Sequence, residues 1–158
     1  MGATVARMKA LHGADNGPGP ACTAANSCFG APVTNDESGK TYQFTSVLMS
    51  GGLITSYQQN FVPNTNVSTA EAEIMQWMPK DATMSALTVD QNGGSCAMYN
   101  ITSPTLATIF SARSIGDPQG VLGVKLSYTD SNLNITYDPN NVQEASISIV
   151  PSNPTVTC

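Results

Sequence analysis

The sequence predicts an α+β domain in which a short N-terminal helix and two further helices pack on a C-terminal antiparallel sheet, stapled by two disulfides. Three observations predict it. Apolar or alternating runs at Val121–Thr129, Leu133–Tyr137 and Val142–Val150 are parted by the turn formers Asp130-Ser-Asn and Asp138-Pro-Asn-Asn141. Helix start signals precede those runs. Four cysteines, Cys22, Cys28, Cys96 and Cys158, form an even set.

Taken in order, residues 3–12 read as a helix with Val5, Met8 and Leu11 on one face and Gly13 as its stop. So short a helix does not hold alone in water, so it needs a partner or is the tail of something longer. The loop ADNGPGP leads into the Cys22–Cys28 segment, and residues 29–40 also read as loop. Residues 41–62 carry two signals. Tyr42, Phe44 and Ser46 alternate as in a strand, whereas Thr45 to Gly51 reads as a capped helical turn, the reading adopted here. Ser68-Thr-Ala-Glu71 has the spacing of a capping box, with Ile74 and Trp77 on one face and Pro79 as the end. Met84–Asp90 and Ser95–Ile101 flank Gln91-Asn-Gly-Gly94, a hairpin signal. Ser103-Pro104 supplies a cap and a first-turn proline for a helix through Arg113, whose Leu106, Ile109 and Phe110 face the core. A last segment, Thr155–Cys158, follows two prolines. No internal repeat or linker divides residues 1–158, which are expected to form one domain that buries roughly two thirds of its unfolded surface.

Charged residues make up only 11% of the chain, against about 25% in a typical soluble domain. Neutral polar residues replace them, which suits a hydrated exterior. The net charge is −5, and the six cations stand singly. No basic stripe can neutralise phosphates, which argues against nucleic acid as a partner and against an anionic membrane surface. No apolar run approaches the 18 or so residues of a membrane span.

The cysteines lack metal-ligand spacing, because there is no Cys-x-x-Cys and the single histidine, His12, is distant in sequence. Disulfides are the expectation, and they imply an oxidising compartment. Three pairings exist; the small loop favours Cys22–Cys28 together with Cys96–Cys158. On the chain-entropy model these contribute roughly 2–2.5 and roughly 4 kcal/mol. Residues 1–13 hold no apolar run able to act as an export signal, so a trimmed N-terminus is expected.

Catalytic patterns are weak. His12, the one general-base candidate near neutral pH, sits where a cation simply suits a helix end. No Gly-x-Ser-x-Gly elbow and no phosphate loop occur. Glu71 and Glu73 fall on different helix faces, and Asp36-Glu37 lies in a loop, so no carboxylate pair is set for glycoside hydrolysis. Asp130, Asn132 and Asn134 have the oxygen spacing of a calcium loop, but Ile135 stands where the sharp turn needs glycine. Three sequons, at Asn66, Asn100 and Asn134, are of the number expected by chance in so Asn- and Thr-rich a chain. No catalytic residue, cofactor or metal is expected.

Four pieces of the chain together resemble the head domain of type IV pilins and their minor or pseudopilin relatives. Residues 3–12 look like the stub of a spine helix, and Thr45–Thr55 is similar to the segment after the variable loop. Ser95–Ile101 leads straight into the 103–113 helix, and ISIVPSNPTVTC looks like a closing strand with a final cysteine. The resemblance implies that Cys96 pairs with Cys158, and that residues 1–13 are what remains of a longer helix. The diagnostic apolar run with glutamate at its fifth position is absent, and Cys22 and Cys28 are additions. The implied role is structural: an extracellular filament subunit whose partners are other pilin-like subunits or a cell-surface ligand. A secreted binding module is the alternative, followed by a small secreted hydrolase.

Overall fold

The computed structural model describes residues 26–27, 32–34, 41–50, 53–89, 96–129, 131–132 and 134–150. These form a mostly β architecture rather than the expected α+β arrangement. The strands are β1 (Asn26–Ser27), β2 (Pro32–Thr34), β3 (Thr41–Ser50), β4 (Leu53–Thr65), β5 (Thr83–Met84), β6 (Thr88–Val89), β7 (Ala97–Thr102), β8 (Val121–Thr129), β9 (Ile135–Thr136) and β10 (Val142–Ile149). The two helices are α1 (Val67–Met75) and α2 (Pro104–Arg113).

The strands join in one antiparallel sheet of order β1-β3-β4-β10-β8-β7-β5, with β2 on β3, β6 on β7 and β9 on β8. The sheet is therefore not confined to the C-terminal two thirds. Its two longest strands include β3 and β4, where a helical turn was expected around Thr45–Gly51. Ser50 and Leu53 are register partners, so β3 and β4 pair as adjacent antiparallel strands. Strand β10 lies between β4 and β8 and so welds the two halves of the chain together.

The two helices form for reasons legible locally. Ser103 caps α2, its Oγ accepting from the Leu106 amide at 3.2 Å, and Pro104 occupies the first turn. For α1 the expected capping box is corrected. Asn66 is the cap, its Oδ1 accepting from the Thr69 amide at 2.9 Å, while Ser68 lies inside the helix. The α-helix ends at Met75, with Trp77 in the turns that follow. The expected hairpin before α2 is present, with its outer strand split into β5 and β6, and the expected strand at 133–137 shortens to β9.

Register assigns the two faces of the sheet. One face carries the rows Ile149–Leu122–Ile101, Tyr57–Ile147–Val124–Tyr99 and Gln59–Ala145–Leu126–Ala97. Ala70 and Ile74 of α1 and Leu106 and Phe110 of α2 join these residues in the core. The opposite face carries Ser56–Ser148–Gly123–Asn100, Gln58–Ser146–Lys125–Met98 and Asn60–Glu144–Ser127. The period of two thus puts mostly apolar residues on one face and mostly polar ones on the other across four strands.

Gly120 leads α2 into β8 with φ +71°, and a Cβ there would collide with the Ser103 carbonyl and the Ala107 backbone. Gly120→Ala is expected to lose more than about 1 kcal/mol of stability, read as a lower urea midpoint at unchanged m-value.

The expected two-disulfide staple is not found, since no cysteine pair lies within the described residues. Cys22, Cys28 and Cys158 fall outside them, as do His12, the 3–12 helix and the 155–158 segment. Cys96 alone is described. It is fully buried at the start of β7 and disulfide-bonded.

Candidate functional site

Titratable groups gather in two places among the described residues. The first is the gap between α1 and the core face of the sheet. Tyr57 and Tyr99 belong to one register row, three strands apart, with Ile147 and Val124 between them. Glu71 on α1 and Tyr137 after β9 complete the group. Burial pushes the phenols of Tyr57 and Tyr99 well above the usual range, and the charge of Glu71 adds to the rise at Tyr99. Tyr137 is raised by burial first, then by Glu71 and Asp138. Partial burial raises the Glu71 carboxyl in turn. Each shift is toward the neutral form, the state that packs without an ion partner. The phenols stay protonated near neutral pH and pack in that form.

Two polar side chains on this face lack partners. Both amide atoms of Gln59 and the hydroxyl of Tyr99 are buried without a hydrogen bond. Gln59 is 0% exposed. Sequence reading missed it, because a glutamine in the stretch Ser56-Tyr-Gln-Gln-Asn60 looks like part of a solvated strand face.

The second place is the start of α2. The Asp81 carboxylate accepts from Ser103 Oγ at 2.5 Å, from Thr105 Oγ1 at 2.8 Å and from the Thr105 amide at 2.9 Å. The Ser103 hydrogen bond is the main cause that holds its carboxyl below the usual range, with the Thr105 bonds adding to it against partial desolvation. The negative charge also sits at the positive end of the helix dipole. This is a cap reinforced from outside the helix. A depressed carboxyl contributes stability above its unfolded pKa, and loses it as pH falls through the folded value. Asp81→Asn is therefore expected to flatten the acid limb of the stability curve below about pH 4. Urea melts at stepped pH check this.

Glu71 faces the tyrosines and Glu73 lies on the same helix, whereas Asp36 and Glu37 fall outside the described residues. Among the described residues, no group of three or more His, Cys, Asp or Glu is assembled. Asn132 and Asn134 are exposed near β9, where Ile135 is 60% exposed, and Asp130 lies outside the described residues. Of the sequons, Asn66 is engaged as the α1 cap and Asn100 sits within β7. No helix among the described residues is long and apolar enough to cross a membrane.

One face of the sheet is closed by helices, and the other presents half-buried Ser, Asn and Gln side chains in register. Comparison with protein families, with curated proteins and with solved structures finds no match in any of the three.

Proposed function

We propose that this chain is a structural part of an assembly outside the cytoplasm, serving as a filament subunit of the kind its sequence resembles, the type IV pilin-like proteins. The observation that carries the placement is the sulfur chemistry of Cys96, which is buried and disulfide-bonded just before β7. The sheet supports the role. Its last described strand lies at the centre, so that pulling on either half of the chain loads many hydrogen bonds at once. The low charge of the surface suits packing of like subunits, since like charges do not oppose one another.

A secreted binding module is the second reading, and the polar sheet face favours it. Amides and hydroxyls at Gln58, Asn60, Ser56 and Ser148 offer both donors and acceptors to a neutral polar ligand.

The test is fractionation of the source cells with an antibody to this domain, coupled to thiol labelling under denaturing, non-reducing conditions. The filament reading expects the protein in the sheared surface fraction with Cys96 unlabelled. Recovery from the soluble medium as a monomer with Cys96 unlabelled would favour the binding module. A cytosolic protein with Cys96 labelled would overturn both.

A further inference from the structure

We propose that the bulge at Ser85–Leu87 guards the β5/β6 edge of the sheet against pairing with the same edge of a second copy. This edge closes the strand order on the side of β7 among the described residues. An edge strand offers unpaired backbone groups to any passing strand, and natural sheets blunt such edges with charge, proline, a cover or a bulge. Residues 82–89, ATMSALTV, contain neither charge nor proline. Met84 and Val89 are 40% and 39% exposed. Pairing with a second copy about a two-fold axis sets the segment against itself, antiparallel. A charged edge would then oppose like charges; this one has none to oppose.

What interrupts the edge is one extra residue. Met84 partners Ile101 and Thr88 partners Met98, so Ser85, Ala86 and Leu87 stand against only Tyr99 and Asn100. The Ser85 amide donates to the Asn100 carbonyl at 2.9 Å, as in a regular ladder. The return bond differs. The Asn100 amide donates to Ser85 Oγ at 2.9 Å rather than to the Ser85 carbonyl. The hydroxyl takes the carbonyl's place, and it also donates to the Ala86 carbonyl at 3.2 Å. The backbone is thereby free to leave the ladder, while Leu87 turns back and packs against the core. Met84 and Val89, an odd number of residues apart, both align with core-face partners, Ile101 and Ala97, as only an extra residue allows. The edge is broken into two-residue pieces too short to template a partner strand.

The proposal stands apart from the filament reading, because it concerns the isolated chain. Deletion of Ala86 removes the extra residue and lets both short ladders run on as one. Ser85→Val keeps the length but removes the hydroxyl and favours extended backbone. Both variants of the 158-residue chain are compared with the parent by sedimentation equilibrium over a concentration series, with circular dichroism melts to confirm folding. At least one folded variant is expected to dimerise about tenfold more tightly than the parent, and adding Val89→Lys to it should reverse the gain. If the deletion does not fold, Ser85→Val decides. A folded Ser85→Val variant as monomeric as the parent, with no folded deletion variant that dimerises, overturns the proposal. So does a dimer that Val89→Lys leaves intact.

Discussion

Phe110→Ala is expected to lower the unfolding free energy by about 3–5 kcal/mol, the cost of a large aromatic removed from a site that cannot collapse. Phe110 is 0% exposed and shares the core cluster with Leu106, Ile101 and Leu122. Three features keep the surroundings from relaxing into the hole. The α2 start is held by Ser103 and Asp81, and its end by the Ile115 amide on the Phe110 carbonyl at 3.0 Å. Gly116 approaches both Phe110 and Ile149 closely. Equilibrium urea unfolding reads the loss directly, and for a chain of this size the melting temperature should fall by roughly 10 °C. Ile109→Ala on the same helix, half-buried, serves as the comparison and should cost clearly less. Equal losses at the two positions would mean that α2 is anchored by its caps rather than by Phe110.

Gln59→Met should move stability the other way, by about 1–3 kcal/mol in favour of the fold. The residue sits between Ala145 of β10 and Phe44 of β3 in register, with its side chain fully buried. Neither amide atom has a hydrogen-bond partner, so folding strips water from two polar groups and returns nothing. Methionine keeps the length and flexibility of the side chain while removing both groups. Tyr99→Phe offers a milder version of the same experiment, because only one unpartnered hydroxyl is deleted. A Gln59→Met protein less stable than the parent would show that the amide is satisfied in solution and that the site is polar by design. Its position would then mark a contact that the fold keeps for use.

The Asp81 carboxylate illustrates how a residue can look idle in sequence and still be committed. Nothing in Pro79-Lys-Asp-Ala82 announces a capping role, since the helix it serves begins more than twenty residues later. Likewise the bulged edge is invisible in ATMSALTV, which reads as an ordinary strand. Only the register against β7 shows that one residue is surplus.

Local signals told the truth where the interaction itself is local. Ser103-Pro104 sets the start of α2 because the cap reaches an amide three residues away. The Asp138-Pro-Asn-Asn141 turn likewise closes through the Asn141 amide on the Asp138 carbonyl. The alternation in 121–129 and 142–149 named two strands correctly, and the Gln91–Gly94 signal named the hairpin arms on either side.

What the chain alone determined is thus the α2 cap, the turn at 138–141, the strands at 121–129 and 142–149 and the low-charge, neutral polar character of the sequence. Tertiary pairing decided the rest. Residues 41–65 carry both helical and extended signals, and they become β3 and β4 because β10, far along the chain, supplies the ladder partner for β4. The same pairing buries Gln59 and sorts Ser and Asn onto the outer face. Backbone hydrogen bonds in a helix are satisfied within one segment, whereas a strand is defined by a neighbour that the local sequence does not name. That difference made the α2 start and the 138–141 turn legible and left the sheet order to the folded structure.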